Sequence, residues 1–597
     1  MSVRRLWLIA VLALAPVAAH SEEPAMRPAP EETSAAPDEP AAPDEPAPAP
    51  EMESAPEEIA PAPAEQNPPP AAEARPAPES PAPLLHGTLE LSLEDAIKMG
   101  LENNLDVQID RYAPMLADLD VTGAWGAYDP ELFAEAYYKD SRTPNAFALS
   151  GVDTTVTRST EGDGGVQGIF PILGTEYKAV FSGSRKMFNS TLQSLSPEYD
   201  SGWSINLTQP VLRDLIWNQP WTRVRTSRLL SGSSQDDFRR AVMDEVQNIE
   251  DAYWTLIASE EALRVANKSL ETAGALLDQT KTQFNVGVVS KVEVTEAQAG
   301  VSQRQVERIR AENTYRNQQD VLIHLVLGPN LRASSTLEIR PTDRPDDFTP
   351  YDVDVEGAVS RAFEHRPELS RADKDIERSE VQLAYSRNQM LPALDGVFSY
   401  GQNGLSGDQS RHFNACRFVF DDPSTAIDEN AVCVANPPDV TQGPWNNTFD
   451  DYNRSPQYVA GAKLSIPIPN RTARANTSKG ELELARARTS KHRLEQQIII
   501  DVRQAARNLQ ASQEGIAAAR SAREAAAEQL RAEQVRLEYG ESTPFDVLQR
   551  EEALVARERD EIGAFRAYRT SVTALDRAQG TILRNRNIDI ADVAPLR

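Results

Sequence analysis

The sequence predicts an internally duplicated α+β fold, in which very long coiled-coil helices continue into a sheet of alternating strands. Three observations predict it. The second half of the chain repeats the first, each half contains hydrophobic residues at every seventh position, and each half contains segments of alternating apolar and polar residues. A sustained seven-residue period is typical of a coiled coil, and alternation is typical of a strand with two different faces.

The first 19 residues have the features of a secretory signal peptide. Arg4 and Arg5 precede an apolar run from Leu6 to Ala15, and small residues follow it. The run is too short to span a bilayer, so we expect a cleaved signal and export of the chain. No Cys follows the cleavage site, so a lipid anchor at that point is not supported.

Residues 20–85 have the composition of a disordered tether rich in Pro, Ala and Glu. The segment 21–85 contains 19 Pro, 15 acidic residues and 2 basic residues. Such a segment cannot bury enough apolar surface to fold, so we expect a semi-extended periplasmic spacer. A wall-spanning or adaptor-binding role for it stays open.

The remaining chain contains one domain twice, which we place at residues 86–340 and 341–597. Glu94–Tyr138 aligns without a gap with Glu356–Tyr400, at an offset of 262. A repeat of this length is too long for a solenoid unit, so it indicates a duplicated domain. In each copy we expect a short helix (Leu93–Asn103 or Val355–Glu364), a second helix that runs to Pro130 or Pro392, a β segment, and a long helical hairpin.

The long helices carry the clearest pattern. In the first repeat, apolar residues occupy every seventh position from Val242 to Phe284; in the second, from Val502 to Leu537, with one break at Arg523. At 1.5 Å per residue, the first helix alone would be about 90 Å long. We predict that Val292–Leu327 and Phe545–Leu583 return along these rods, with Gly287 and Gly540 at the turns, where glycine permits positive φ.

The β segments have one apolar and one polar face. Trp203, Ile205 and Leu207 alternate with Ser204, Asn206 and Thr208. A half-buried soluble sheet and a transmembrane barrel both fit this alternation. A single chain has too few strands to close a wide barrel, so a barrel would have to be shared by several chains. Residues 141–201 are expected to add a hairpin, and the number of strands per chain stays open.

Residues 401–457 interrupt the β segment of the second repeat and are predicted to form an extracellular loop. The loop contains both cysteines of the chain, Cys416 and Cys433. In an oxidising compartment a disulfide between them would stabilise the loop by roughly 3 kcal/mol, and two free thiols are the alternative.

Several classes of function are excluded or disfavoured by composition. The net charge of −29 argues against nucleic acid as a partner, since phosphate binding requires a basic face. The chain contains neither CxxC nor HExxH spacing, and its scattered carboxylates and histidines form no base–nucleophile arrangement. We therefore expect neither an enzyme nor a metal site, and no cofactor.

Three motifs in fixed order resemble the outer-membrane efflux protein (TolC-like) family. They are the opening motif Leu91–Asn104, the strand end Leu207–Arg213, and the hairpin tip Val286–Val294, which Tyr539–Val547 repeats. The resemblance covers about Leu89–Leu583. It implies a homotrimer that closes one transmembrane β-barrel in the bacterial outer membrane, continuous with a coiled-coil barrel of helices in the periplasm.

The resemblance also implies a function and partners. Members of this family export drugs, metals or polypeptides together with a periplasmic adaptor and an inner-membrane pump (RND, ABC or similar), in contact with outer-membrane lipid. The expected function is a duct for efflux or type I secretion. The alternative is a periplasmic structural or tethering coiled coil without channel activity.

The resemblance places the candidate aperture at the hairpin tips. The first of two family aspartates falls on Asp546, the second on Gln549, and the first repeat offers Glu293. A ring of three carboxylates would attract cations, whereas a solvated helix cap is the alternative for Asp546. The Arg and Tyr that close the mouth in the family fall on Ser542 and Leu537, so that closure network is in doubt.

The same turns carry apolar residues that are candidates for docking an adaptor's helical hairpin. Packing within each hairpin would explain these residues almost as well. The candidate docking residues are Gly287, Val288, Val289, Tyr539, Gly540 and Phe545.

Overall fold

The computed structural model describes residues 86–590, apart from 146–151, 191–192, 331–335, 345–349, 411–415, 420–431 and 436–440. The predicted signal peptide (1–19) and tether (20–85) lie outside the described residues.

The first repeat runs from a short strand to a long helical hairpin. Its elements in order are β1 (His86–Leu91), α1 (Leu93–Asn103), α2 (Leu105–Trp125), β2 (Glu131–Pro144), β3 (Thr154–Ile169), β4 (Glu176–Phe188), β5 (Leu195–Pro210), α3 (Gln219–Asn285) and α4 (Lys291–Leu327).

The second repeat has the same order, with fewer strands in its main sheet. After β6 (Thr336–Pro341) come α5 (Val355–His365), α6 (Pro367–Asn388), β7 (Ala393–Gln409), β8 (Cys416–Val419), β9 (Val432–Ala435), β10 (Thr441–Gln442), a 3-10 segment (Trp445–Arg454), β11 (Pro456–Ser465), α7 (Arg471–Glu538), α8 (Pro544–Gln579) and α9 (Ile582–Asn585).

The helices α1 and α5 begin at the predicted residues, Leu93 and Val355, and side chains cap the starts of α1 and α2. The Ser92 hydroxyl accepts a hydrogen bond from the Asp95 amide at the start of α1, and the Asn104 side chain accepts one from the Asp106 amide at the start of α2. The helices α2 and α6 end before the predicted prolines. The 3-10 turn Gly126–Tyr128 follows α2, because the chain must change direction to enter β2.

The hairpin helices are longer than predicted: α3 has 67 residues and α7 has 68, or about 100 Å each. The seven-residue seam of α7 is buried at Val502, Leu509 and Ile516, which confirms the coiled-coil pattern. Its break at Arg523 lies where the guanidinium Nε is 3.1 Å from Glu561. An ion pair there takes the place of an apolar contact.

The seam of α3 departs from the predicted period. Val242, Ile249 and Leu256 are buried against α1, α4 and β6, as the pattern predicts. Further down, Leu263 and Leu270 are only half-buried and Phe284 is exposed. Leu277 stays buried at its predicted position, and the other buried positions move by one residue, to Ala266, Ser269, Ala273, Leu276 and Thr280. The reason is a change of partner, because this part of α3 packs against Leu530, Val547 and Leu548 of the second repeat.

One sheet contains the strands of both repeats, in the order β11–β7–β5–β4–β3–β2, with the two-residue β10 beside the upper end of β7. Neighbouring strands along this path are antiparallel. Phe181 and Trp203 are direct partners on one face, and Asp163 and Ser182 on the other. The hairpin expected in residues 141–201 is therefore present as β3–β4.

The segment after β7 is shorter than the predicted loop 401–457, since β7 continues to Gln409 and β11 begins at Pro456. Within it, β8 and β9 pair so that Cys416 lies opposite Ala435 and Cys433 opposite Phe418. The cysteines lie on adjacent strands, two residues out of register. Their side chains lie outside the described part of the chain, so the disulfide stays a prediction.

The midsection of the helices contains the largest apolar core. The parallel pair β1–β6 covers it, and residues of α1, α3, α4 and the C-terminal α9 fill it. Tyr253 is fully buried there, and its hydroxyl donates to Asp343 at 2.6 Å. Across the described residues, no helix combines the length and the hydropathy that crossing a membrane requires.

Candidate functional site at the hairpin tips

Both hairpins turn by the same backbone geometry. The amide of Val288 donates to the Gln283 carbonyl, and the amide of Gly287 donates to the Phe284 carbonyl. This pair of hydrogen bonds defines a Schellman motif, which requires a left-handed residue at its centre. Gly287 has φ +82°, as the sequence predicts for this turn.

The second tip repeats every part of this turn. The amide of Glu541 donates to the Arg536 carbonyl and that of Gly540 to the Leu537 carbonyl, and Gly540 has φ +76°. The two predicted tip glycines therefore occupy equivalent positions in the two repeats.

The return helices also begin alike, with a reciprocal capping box. At the start of α4 the Ser290 hydroxyl accepts from the Glu293 amide, and the Glu293 carboxylate accepts from the Ser290 amide at 3.1 Å. At the start of α8, Thr543 and Asp546 form the same two hydrogen bonds, each 3.3 Å long. The two carboxylates thus lie at equivalent positions, three residues after the cap.

The helix-cap interpretation of Asp546 fits the geometry, and it does not remove the charge. Hydrogen bonds from the hydroxyl and the amide of Thr543 hold the pKa of Asp546 below its usual range. Asp546 is therefore ionised at neutral pH, at the end of the hairpin. Gln549 lies three residues further along α8, exposed, so the two side chains share one side of the helix.

The two positions where the family places its closing Arg and Tyr have other contacts here. The Ser542 hydroxyl donates to Glu533 at 2.6 Å, and Leu537 packs with the apolar cluster between the hairpins. Glu533 is buried and also lies 3.3 Å from Arg536 and 3.9 Å from Arg550. This small ionic network joins α7, the turn and α8.

Apolar side chains at the tips remain exposed. Tyr539 is 78% exposed, Val288 72% and Phe545 54%, whereas Val289 is half-buried. Packing within each hairpin therefore does not cover most of the predicted docking residues. Val292, which is not among the predicted docking residues, is also exposed. It lies in the first turn of α4, four residues after Val288. That spacing was the signal available in the sequence.

A charged belt between the hairpins was not predicted. Arg304 of α4 is only 4% exposed; its guanidinium lies 3.3 Å from Glu307 and 3.8 Å from Glu552 of α8. Beside it, Glu551 is buried, and desolvation raises the pKa of its carboxyl. This belt lies about 25 Å above the first tip, since Arg304 is 17 residues from Gly287. Single-sequence periodicity carries no signal for it, because the partners lie on different repeats.

A search of the described ranges finds no group of three or more His, Cys, Asp or Glu side chains placed to hold a metal ion.

Comparison with known families gives a match over most of the helical part and part of the sheet. The family model described as "Outer membrane efflux protein" matches residues 189–326 and 358–581, which together cover more than half of the chain.

Two curated relatives are similar in sequence. The outer membrane protein TolC of Vibrio cholerae is 21% identical over 394 residues, covering 65% of this chain and 78% of that protein. The outer membrane protein TolC of Escherichia coli is 23% identical over 247 residues, covering 41% of this chain and 47% of that protein.

Solved structures share the fold. The Campylobacter jejuni CmeC outer membrane channel aligns with a TM-score of 0.56 at 14% identity, over 84% of this chain and 90% of that one. The outer membrane protein VceC of Vibrio cholerae aligns with a TM-score of 0.55 at 15% identity, over 82% of this chain and 96% of that one. These likenesses show the helical barrel and β domain as a common fold.

Proposed function

The chain belongs to the outer membrane efflux protein family, and from that membership we propose that it forms a homotrimeric duct across the outer membrane. The protein is located in the outer membrane, as its relatives are. The duct exports substrates from the periplasm, or from an inner-membrane pump, to the exterior. The role is transport, and the protein itself catalyses no reaction.

One observation carries the proposal: the sheet ends in two unpaired strands. β2 pairs only with β3, and β11 only with β7, so both outer edges of the described sheet offer free backbone hydrogen-bonding groups. Exposed edges of this length are normally paired or covered. Pairing between copies of the chain closes a barrel, and the rods α3 and α7 then continue below it as a tunnel.

The position of the tips supports a partner at the periplasmic end. Both tips end the helical part, about 100 Å from the sheet, and both expose apolar side chains beside a turn whose geometry the two repeats share. We assign Val288, Tyr539 and Phe545 to docking of a periplasmic adaptor, which couples the duct to an RND, ABC or similar pump. Asp546, Glu293 and Gln549 then surround the aperture.

The same proposal assigns a location to each remaining region of the chain. Residues 86–340 and 341–597 act as two equivalent repeats around the duct, and the segment between β7 and β11 lies outside the cell. Residues 20–85 link the mature N-terminus to the duct as a periplasmic spacer. A disulfide between Cys416 and Cys433 belongs to the external segment.

The first test is the mass of the purified protein in detergent, combined with its conductance in a planar lipid bilayer. The expected result is a trimer that forms a discrete, mostly closed, cation-preferring channel. A monomer that stays in solution without detergent and conducts no current would instead establish the structural coiled coil.

A further inference from the structure

The β3–β4 hairpin has the properties of a wall segment in the barrel. It lies between β2 and β5 and pairs with both of them along most of its length. Without it the sheet would contain four long strands, and with it the sheet contains six.

The faces of the hairpin match those of its neighbours. On one face Val166 pairs with Ala179, and Phe181 pairs with Trp203 of β5. On the other, Gln167 pairs with Lys178, and Asp163 with Ser182. An apolar face toward lipid and a polar face toward water is the alternation of a membrane barrel. A hairpin that formed a plug or a flap would not be expected to continue the alternation of its neighbouring strands.

Polar contacts fix the hairpin to the strands on both sides. On the polar face, the Lys178 ammonium lies 4.7 Å from the ring centre of Phe133 in β2. On that same face Lys186 of β4 is 3.1 Å from Asp200 of β5. Side-chain contacts therefore join the hairpin to the strands on both of its sides.

Strand directions allow copies of this six-stranded sheet to join edge to edge. Because neighbours alternate in direction along the path, β2 and β11 run in opposite directions. The β2 edge of one copy can therefore pair in the antiparallel sense with the β11 edge of the next. Six strands alone are too few to enclose a lumen, since eight leave room only for side chains.

We propose that the barrel has eighteen strands, six from each of three copies, and that the β3–β4 hairpin sets the width of its outer mouth. This inference rests on the proposed trimer. With strands about 4.8 Å apart and tilted by about 40°, eighteen strands give a backbone diameter of about 36 Å, against about 24 Å for twelve. The outer mouth then does not limit the size of the exported solute, and the upper size limit lies in the helical part.

The 3-10 part of the external segment, Trp445–Arg454, lies on one face of the proposed wall. Trp445 and Phe449 of the 3-10 segment pack against Phe181, and Thr448 lies 2.5 Å from Ser201. Phe181 belongs to the apolar face, so this segment covers the outer side of the wall. The luminal face at that level carries Ser182 and Ser184.

The experiment counts strands in the full-length protein, purified in detergent and imaged by electron cryomicroscopy. Eighteen strands around a three-fold axis are expected. A trimer whose wall has twelve strands, with β3–β4 turned out of it, would overturn the inference and leave the duct intact. A protein without oligomer or channel would overturn both.

A second measurement uses two deletions and graded polyethylene glycols added to the external side of single channels. Removing 146–190 takes out the hairpin and joins β2 to β5, which are antiparallel. Removing 420–431 shortens the external segment and keeps all six strands. We expect the first deletion to reduce the cross-section open to polymer about twofold, since diameter scales with strand number, and the second to leave it unchanged. Equal size limits in all three proteins would refute the inference.

Discussion

The carboxylate of Glu250 accepts two hydrogen bonds from the guanidinium of Arg586, at 2.6 Å from Nε and 2.9 Å from Nη2. Glu250 is fully buried, and the Thr573 hydroxyl donates a third hydrogen bond to it at 2.5 Å. The pair joins the long helix of the first repeat to the end of the second. A buried carboxylate is tolerated only when its oxygens are paired in this way.

Replacing Arg586 with Met should therefore destabilise the protein strongly. The variant leaves the Glu250 charge buried without its cation, so the free energy of unfolding should fall by about 3–5 kcal/mol. Chemical denaturation in detergent, followed by circular dichroism, measures the change. The exposed neighbour Arg584 provides the control, because its replacement by Met should change stability by less than about 0.5 kcal/mol. Equal losses in the two variants would contradict a role for the ion pair.

This ion pair illustrates what the sequence could predict and what it could not. Local patterns predicted the helix Leu93–Asn103, the tip glycines and the α7 seam, because each depends on residues close together in the chain. The Glu250–Arg586 pair connects residues 336 positions apart. A charged residue in a helix is expected to lie on the solvated surface unless a distant partner is known. The charged belt at Arg304 was not predicted for the same reason.

In the sheet too, local features could be predicted from the sequence and the pairing between repeats could not. Alternation predicted strands with two faces, and the excess of residues between 141 and 201 indicated a hairpin. The strand order that places β3–β4 inside the wall depends on pairing between repeats. Below Leu256 the predicted α3 seam is buried at Leu277 but not at Leu263, Leu270 or Phe284, because the helix changes partner there. A period within one helix does not report a change of neighbour.

Asp251 makes stability depend on pH. Burial raises the pKa of its carboxyl to about 6, and its Oδ1 has no hydrogen-bond partner. Because the folded pKa exceeds the unfolded value of 3.8, the stabilising contribution is present below about pH 4 and is lost as pH rises through 6. Asp251→Asn cannot ionise, so it should be more stable than the natural protein at pH 7.5, by about 1–3 kcal/mol.

The measurement is the denaturation midpoint of both proteins between pH 4 and pH 8. The advantage of the variant should shrink toward zero at pH 4. Asp278→Asn, at an exposed position on the same helix, should show no such trend. A constant difference across the range would exclude titration of Asp251 as the cause.

The same substitution can be compared at Gly515, within α7, and at Gly540, in the turn that follows this helix. A Cβ would meet no atom within 4 Å at either Gly515 or Gly540, so sterics with neighbours do not distinguish them. Gly540 has φ +76°, where alanine costs about 1–2 kcal/mol. Gly515 lies within α7, where alanine should stabilise by about 1 kcal/mol.

We therefore expect Gly540→Ala to lower the thermal midpoint and reduce the yield of trimer, and Gly515→Ala to raise the midpoint. Thermal melts of the two variants in detergent check both signs. If alanine were tolerated equally at both positions, the left-handed turn would not govern the tip.

Asp546 should control the response of the channel to cations, provided the tips form the aperture. Its low pKa keeps it ionised, and three such carboxylates near one axis attract cations. Asp546→Asn keeps an oxygen that can accept from Thr543, so it removes the charge and preserves the helix cap. Gln549→Glu adds a charge on the same side of α8. Block by a trivalent cation added to the periplasmic side should weaken several-fold in the first variant and strengthen in the second.

Asp560→Asn, 14 residues further along α8 and exposed, should behave as the natural protein. Since the first two variants move the same local charge in opposite directions, a block that stays constant in both would place Asp546 away from the aperture.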